Sequence, residues 1–370
     1  MKRILAFVIV LSFSVVMPIT SYNDLDKLLL VTSIVIDKTN SDTYSIYFEA
    51  FTPATSTSGM KKEGERSILH LYADNVTDLI TKVNAQSNLK LNFTHNRIIF
   101  FTERAASDGI DNILDVFSRG EEFLKRSFIA IFHGDPEKLY SLNLTGEKFF
   151  GLSVISQLSN TRKLIGVTED MTIIRLHNES SLGSKTCIIP TIKIVHKPNA
   201  DYLDFKGSGI LRNYKLIGEL NDTQTIYTNF LLNRIITTGI ETINPSSDNK
   251  SMGLRVTKAK TKTKYNYSNG QFHISKYITV HSIARGSFGK IELSNENVKK
   301  IEKEASSRLK DGFIKLFTDN KEKGIDILNV QEDFYRHYPK YSKTNILDNT
   351  ELIVNVNVIV DISTDPKDFN

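Results

Sequence analysis

Few residues in this chain are of a type and spacing that could do chemistry. Its eight histidines are His70, His95, His133, His177, His196, His273, His281 and His337. No two of them stand at the short intervals by which a helix or hairpin presents paired metal ligands, so each reads as a strand-end or surface residue. Asp108, Asp111 and Asp115 in "DGIDNILD" lack the alternating oxygen ligands of a calcium loop and fit the solvated face of a helix. The single cysteine, Cys187, lies in the apolar stretch "KTCIIPTIKIV" and reads as a small core hydrophobe. One cysteine excludes an intramolecular disulfide and any Cys-rich metal site. The chain has no GxGxxG after a strand, no GxxxxGK[ST], no GxSxG and no HExxH. Catalytic, cofactor-binding and metal-ligating residues are therefore expected to be none.

One charged pattern has a period. "TKAKTKTKYNY" places Lys258, Lys260, Lys262 and Lys264 at every second position, which in a strand sets all four on one face. Two readings stay open. One is an exposed face kept soluble by its charge; the other is a contact for anionic headgroups or an acidic partner. Nucleic acid fits poorly, since no aromatic pattern accompanies the lysines.

The elements that must carry these residues follow from composition and periodicity. The 370 residues are 40% hydrophobic and 24% charged with a net charge of +5, enough apolar material for two or three cores under an ordinary soluble surface. Lys2 and Arg3 lead into an apolar run from Ile4 to Ile19, near the length of a signal-peptide core and short for a spanning helix. Residues 1–21 are read as a signal peptide, with an uncleaved N-terminal anchor as the alternative. The remainder is expected on the outer side of a membrane.

From 22 to 200 strand and helix patterns alternate, with a further break allowed near residue 140. "KLLLVTSIVIDK" and "TYSIYFEAF" read as a hairpin, "SILHLYAD", "NRIIFFTE" and "SFIAIFHG" as strands, and "NVTDLITKVNAQSN" as a helix. "ASDGIDNILDVFSR" reads as one helix burying Ile110, Ile113, Leu114 and Phe117; "DPEKLYSL" opens a helix with Pro136 in its first turn. "EKFFGLSVISQLSNTRK" is amphipathic, and a strand should end near His196. "PNADYLDFKGSG" marks a boundary, and a second α+β domain is expected over 205–365. It should begin with a hairpin turning at Arg212-Asn213 and a helix capped by Asp222 or Thr223. Two long strands joined at Asn269-Gly270 follow. A long helix capped by Ser294 is to bury Val298, Ile301, Ala305, Leu309, Phe313 and Leu316; a short helix ends before Pro339, and a last strand alternates from Leu352 to Val360. The fold class is thus α+β and multi-domain, with antiparallel or mixed sheets covered by helices.

The order of these segments resembles the Ger(x)C family, the C subunit of bacterial spore germinant receptors. The resemblance rests on "LLLVTSIVIDK", the block "NFTHNRIIFFTERAASDGIDNILDVFSRGEEFLKRSFIAIFHGDPEKLYSL", "EKFFGLSVISQL", "CIIPTIKI", "GSGILRNYKLIGELNDTQTIYTNFLLNRI", "DFYRHYPKY" and "TELIVNVNVIV", and covers nearly the whole chain. It implies an α+β fold of three domains and a non-enzymatic lipoprotein on the outer face of the spore's inner membrane. There it would act beside A-type and B-type membrane subunits in nutrient-triggered germination, with no cofactor. The family's lipidation cysteine is absent: Tyr22, or Ser21 after a one-residue shift, stands in its place. An extracytoplasmic small-ligand-binding protein is the alternative; a cell-envelope hydrolase is a third reading, for which no clustered acid/base pair is visible.

Overall fold

The computed structural model describes residues 28–39, 43–52, 55–57, 60–62, 64–74, 90–142, 147–165, 171–198, 201–205, 207–235, 237–247, 250–287, 289, 291, 293–341 and 344–361. The leader, Ser21, Tyr22 and the helix expected over 75–88 lie outside the described residues. Among those described, the chain forms a ten-stranded mixed sheet, a four-stranded sheet, the small β3–β4 hairpin and eight α-helices. The resemblance implied three domains; two large sheets are seen.

The first sheet is built on β1 (Leu28–Lys38), which pairs antiparallel with β2 (Tyr44–Phe51), itself paired to the edge strand β5 (Arg66–Ala73). β7 (Ile98–Thr102), β8 (Phe128–His133) and β9 (Thr186–Val195) continue parallel to β1 on its other side. Short β3 (Thr55–Thr57) and β4 (Met60–Lys62) pair with each other, β6 (Lys90–Asn92) with β1, and β10 (Tyr202–Asp204) with β9. Parallel neighbours need crossover helices, and these lie on both faces. Ile113, Leu114 and Phe117 of α2 (Asp111–Arg119) and Leu176 of α5 (Ile173–Ser180) pack with Ile99, Phe101, Ile129 and Ile131 on one side. Leu139 of α3 (Pro136–Ser141) and Phe150, Val154 and Leu158 of α4 (Phe150–Ile165) pack with Ile98, Phe100, Ala130 and Phe132 on the other. Cys187 is buried in the first of these cores, and burial pushes its thiol up to about 12.

Three local readings are corrected. The segment read as one helix is two: α1 (Glu103–Asp108), capped by Thr102, stops at Gly109, whose φ of 124° a side chain would resist, and α2 begins after it. The hairpin of β11 (Ser208–Arg212) and β12 (Lys215–Leu220) turns one residue later than expected, at Asn213-Tyr214, both at positive φ. The next helix, α6 (Asp222–Leu231), is capped by Asn221, which exchanges hydrogen bonds with Gln224 in a capping box.

The β11–β12 hairpin joins the first sheet through β9, while Ile210 and Leu220 also enter the core of the second sheet. That sheet runs β13 (Thr238–Ile243), β14 (Ser251–Ser268), β15 (Gln271–Ser287), β16 (Thr350–Val360). The strand β13 did not stand out in the sequence. β14 and β15 turn at Asn269-Gly270 as expected, both at positive φ, and β16 closes the sheet parallel to β15. One face is covered by α7 (Asn295–Lys321), whose six expected core positions are all buried and whose Ser294 accepts from the Asn297 amide, and by α8 (Val330–His337). Pro339 begins a short 3₁₀ turn after α8.

Candidate contact surface

The opposite face of the second sheet carries no helix among the described residues, and it is here that the periodic lysines lie. Strand β14 is not uniform. From Met252 to Val256 its even-numbered residues face the core. A bulge between Val256 and Lys258 inserts Thr257, and beyond it Ala259 and Thr261 turn inward while Lys258, Lys260, Lys262 and Lys264 turn out. Thr257 Oγ1 donates to the carbonyl of His281 at 3.2 Å and holds the bulge. Thr261 fixes the register beyond it, its hydroxyl donating to Phe230 O at 2.6 Å and its N–H to Asn233 Oδ1 at 2.8 Å.

Across the pairing, the four lysines stand opposite His281, Thr279, Tyr277 and Ser275 of β15. Those in turn stand opposite Ile359, Asn357, Asn355 and Ile353 of β16. Lys258, Lys260, Lys262 and Lys264 with Tyr277, Thr279 and His281 line an open trough of about 540 Å³. Lys264 Nζ sits 5.4 Å from the Tyr277 ring centre, within cation–π range. Among the described residues no carboxylate lies within ion-pair distance of any of the four lysines. The described acids at the two ends of β16 on this face pair with its histidines: Glu351 with His273 Nδ1 at 2.9 Å, and Asp361 with His281 Nδ1 at 3.6 Å. Arg255 and Arg285 extend the basic strip past the bulge, where Glu241 is their neighbour on the rim. The arrangement has no general acid, nucleophile or oxyanion donors gathered on one point. What it offers is a broad positive surface.

A second cluster was not visible from spacing. His133, at the end of β8, lies with Nδ1 3.1 Å from Glu103 of α1 and Nε2 3.0 Å from Glu219 of β12. The Nε2 contact is ionic in distance but lacks hydrogen-bond alignment. One ligand atom from each of the three lies within 4.8 Å of the others, so a single ion could take one ring nitrogen and an oxygen of each carboxylate; the same contacts tie α1 and β12 to β8. Glu103 and His133 meet because each follows directly on, or ends, one of two adjacent parallel strands; that adjacency is the signal spacing alone did not give.

Two family models together match most of the chain. The model for the spore germination protein N-terminal domain covers residues 21–194, and the one for the spore germination B3/GerAC-like C-terminal domain covers residues 206–365. The chain belongs to the Ger(x)C family of spore germinant-receptor C subunits. It is similar to spore germination protein KC of Bacillus subtilis (strain 168), 22% identical over 366 residues, spanning 92% of this chain and 88% of that protein. Its fold is similar to a crystal structure of the GerBC protein with a TM-score of 0.59 at 15% identity, covering 88% of this chain and 96% of that one. Membership in the Ger(x)C family supports a role in spore germination and the α+β, two-domain fold. Among the described residues no helix is long and apolar enough to cross a membrane.

Proposed function

We propose that this chain is the non-enzymatic C-type subunit of a germinant receptor, exported and membrane-associated on the outer face of the spore inner membrane. It works by contact with A-type and B-type membrane subunits in nutrient-triggered germination. The observation that carries this reading is the match of both Ger(x)C halves in order, 21–194 and 206–365, on a chain whose charged groups are spread over surfaces. The lysine face of β14 is the contact surface this reading assigns, for membrane or partner.

Deleting the coding sequence from the spore former tests it. The deletion should abolish the response to one set of nutrients while leaving germination by receptor-independent stimuli intact, and the tagged chain should co-purify with A-type and B-type subunits from spore membranes. Unchanged nutrient responses, or a chain recovered without either subunit, would remove the reading.

A small-ligand-binding role has one observation in its favour. A cleft of about 720 Å³ between the β13–β14 turn and α7 is lined by Lys250, Lys300, Lys303 and Arg308 with Glu304, groups suited to a carboxylate-bearing solute. Thermal stabilisation by germinant amino acids, lost in Arg308→Gln, would favour it.

A further inference from the structure

We propose that the bare face of the β13–β16 sheet is a docking surface for an anionic phospholipid bilayer, which lies flat against the lysine strip; this rests on the membrane-associated reading above. Charge complementarity comes first. Lys258, Lys260, Lys262, Lys264, Arg255 and Arg285 share the face, and among the described residues the carboxylates on it, Glu241, Glu351 and Asp361, lie at its margins. Alternate residues of a strand are about 6.8 Å apart, so the four ammonium groups form a row on the order of 20 Å long. Mobile headgroups can gather under such a row without a preset pattern, whereas an acidic protein would need carboxylates already in register with it.

The apolar content of the face points the same way. Tyr277 is 42% exposed beside the lysines and Ile353 40% exposed on the adjoining strand. An exposed phenol and an aliphatic side chain among lysines are what the boundary between headgroups and acyl chains accommodates, and long lysine stems reach past them to phosphate. The chain's sulfur chemistry adds the need. Its only cysteine, Cys187, is 3% exposed in the first core, so no thioether-linked lipid can form on the folded protein. A basic surface is a recognised second contribution to membrane residence where acylation is weak or missing.

The test is vesicle co-sedimentation of the full chain on phosphatidylcholine vesicles with and without phosphatidylglycerol. Insertion of the apolar leader is common to both vesicle types, so the phosphatidylglycerol-dependent difference isolates the face. The expected result is tighter binding to the anionic vesicles, a gain abolished in high salt. The variant K258Q/K260Q/K262Q/K264Q should lose that gain, by on the order of 10²–10³-fold in partition coefficient, with an unchanged melting temperature. The control K299Q/K303Q/K310Q, which removes exposed charge from α7, should retain most of it. Equal anionic binding by the quadruple variant, or an equal loss in the α7 control, overturns the proposal. So does binding to polyglutamate with none to the vesicles, which would assign the face to a protein. Receptor membership is scored separately by co-purification: vesicle binding without A-type and B-type subunits fails the functional reading, and the reverse fails only this one.

Discussion

Glu49, in the middle of β2, accepts the backbone N–H of Gly151 at 2.8 Å, 102 residues further along the chain. The same carboxylate accepts from Phe150 N at 2.7 Å, from Arg66 Nε at 2.6 Å and from the Thr32 hydroxyl. A strand residue thereby caps helix α4 from across the sheet, and its negative charge meets the positive end of the helix and one guanidinium. The side chain is fully buried. Gly151 is part of the same joint, because a Cβ there would collide with the Thr32 carbonyl.

The joint makes a stability prediction. Glu49→Ala leaves a part-exposed guanidinium edge and two buried helix amides without their acceptor, each buried amide costing about 1–3 kcal/mol. Chemical denaturation followed by far-UV circular dichroism should show that decrease, and Glu49→Gln, which keeps an acceptor oxygen, should fall between. A decrease below about 1 kcal/mol for the alanine variant would mean water replaces the carboxylate and the joint is not structural.

Lys276 sets a pH dependence. It sits on the inner face of β15 at 5% exposure, and burial pushes its amine down to about 8, opposed by the charge of Asp333, which accepts the Tyr265 hydroxyl at 2.6 Å. The unfolded amine titrates near 10.4. Below pH 8 both states are protonated and the folded chain bears the full cost of the buried charge. Between 8 and about 10.4 the unfolded state holds the extra proton, so this group makes stability rise with pH across that window. Lys276→Met should stabilise the protein at pH 7 by about 2–3 kcal/mol, and the difference from wild type should shrink towards zero above pH 10.4. A constant difference from pH 7 to 11 would show that lost contacts, and not the charge, set the effect.

Cys187 should be silent. A buried thiol pushed up to about 12, with the Ser180 hydroxyl 3.4 Å from its sulfur, offers almost no thiolate at neutral pH. Intact-mass analysis after maleimide treatment should find no adduct on the native chain within hours and one adduct after denaturation. Rapid native labelling would place the β9 region in an open state that the packing does not predict.

How legible all this was depends on the range of the interaction. The stripe from Val298 to Leu316, the Asn269-Gly270 turn and the alternation of β16 are local patterns, and the sequence displays them directly. The pairing of the lysines on one face was legible too, since period two survives any register. Caps and breaks are short-range but ambiguous: Asn221, Asp222 and Thr223 are all good cap residues, and the choice is made by which one can trade hydrogen bonds with Gln224. Strand β13 hides because "TGIETI" is short, with a glycine and two threonines, and gains its identity from β14 alone. The Glu49 joint and the Glu103–His133–Glu219 cluster are invisible to spacing, because sheet pairing and crossover geometry bring their members together.

The bulge at Thr257 is the hardest feature to read. Met252, Leu254 and Val256 point inward before it, and Ala259 and Thr261 after it, so one extra residue inverts the phase of the strand. The number of residues sets the phase, not the chemistry of Thr257, which is exposed and bonded only through its hydroxyl to His281 O. Thr257→Val should therefore change stability by less than about 1 kcal/mol. Deleting Thr257 leaves Val256 inside, Lys258 outside and Ala259 inside, an unbroken alternation paired to Ser282, His281 and Val280 that keeps all four lysines on the outer face. The deletion chain should therefore melt cooperatively in calorimetry and keep its basic face, with a loss of no more than about 1–2 kcal/mol for the hydroxyl bond to His281 O and the altered local twist. Loss of cooperative unfolding in the deletion chain would show that the strand needs the bend of the bulge and not only the alternation on either side of it.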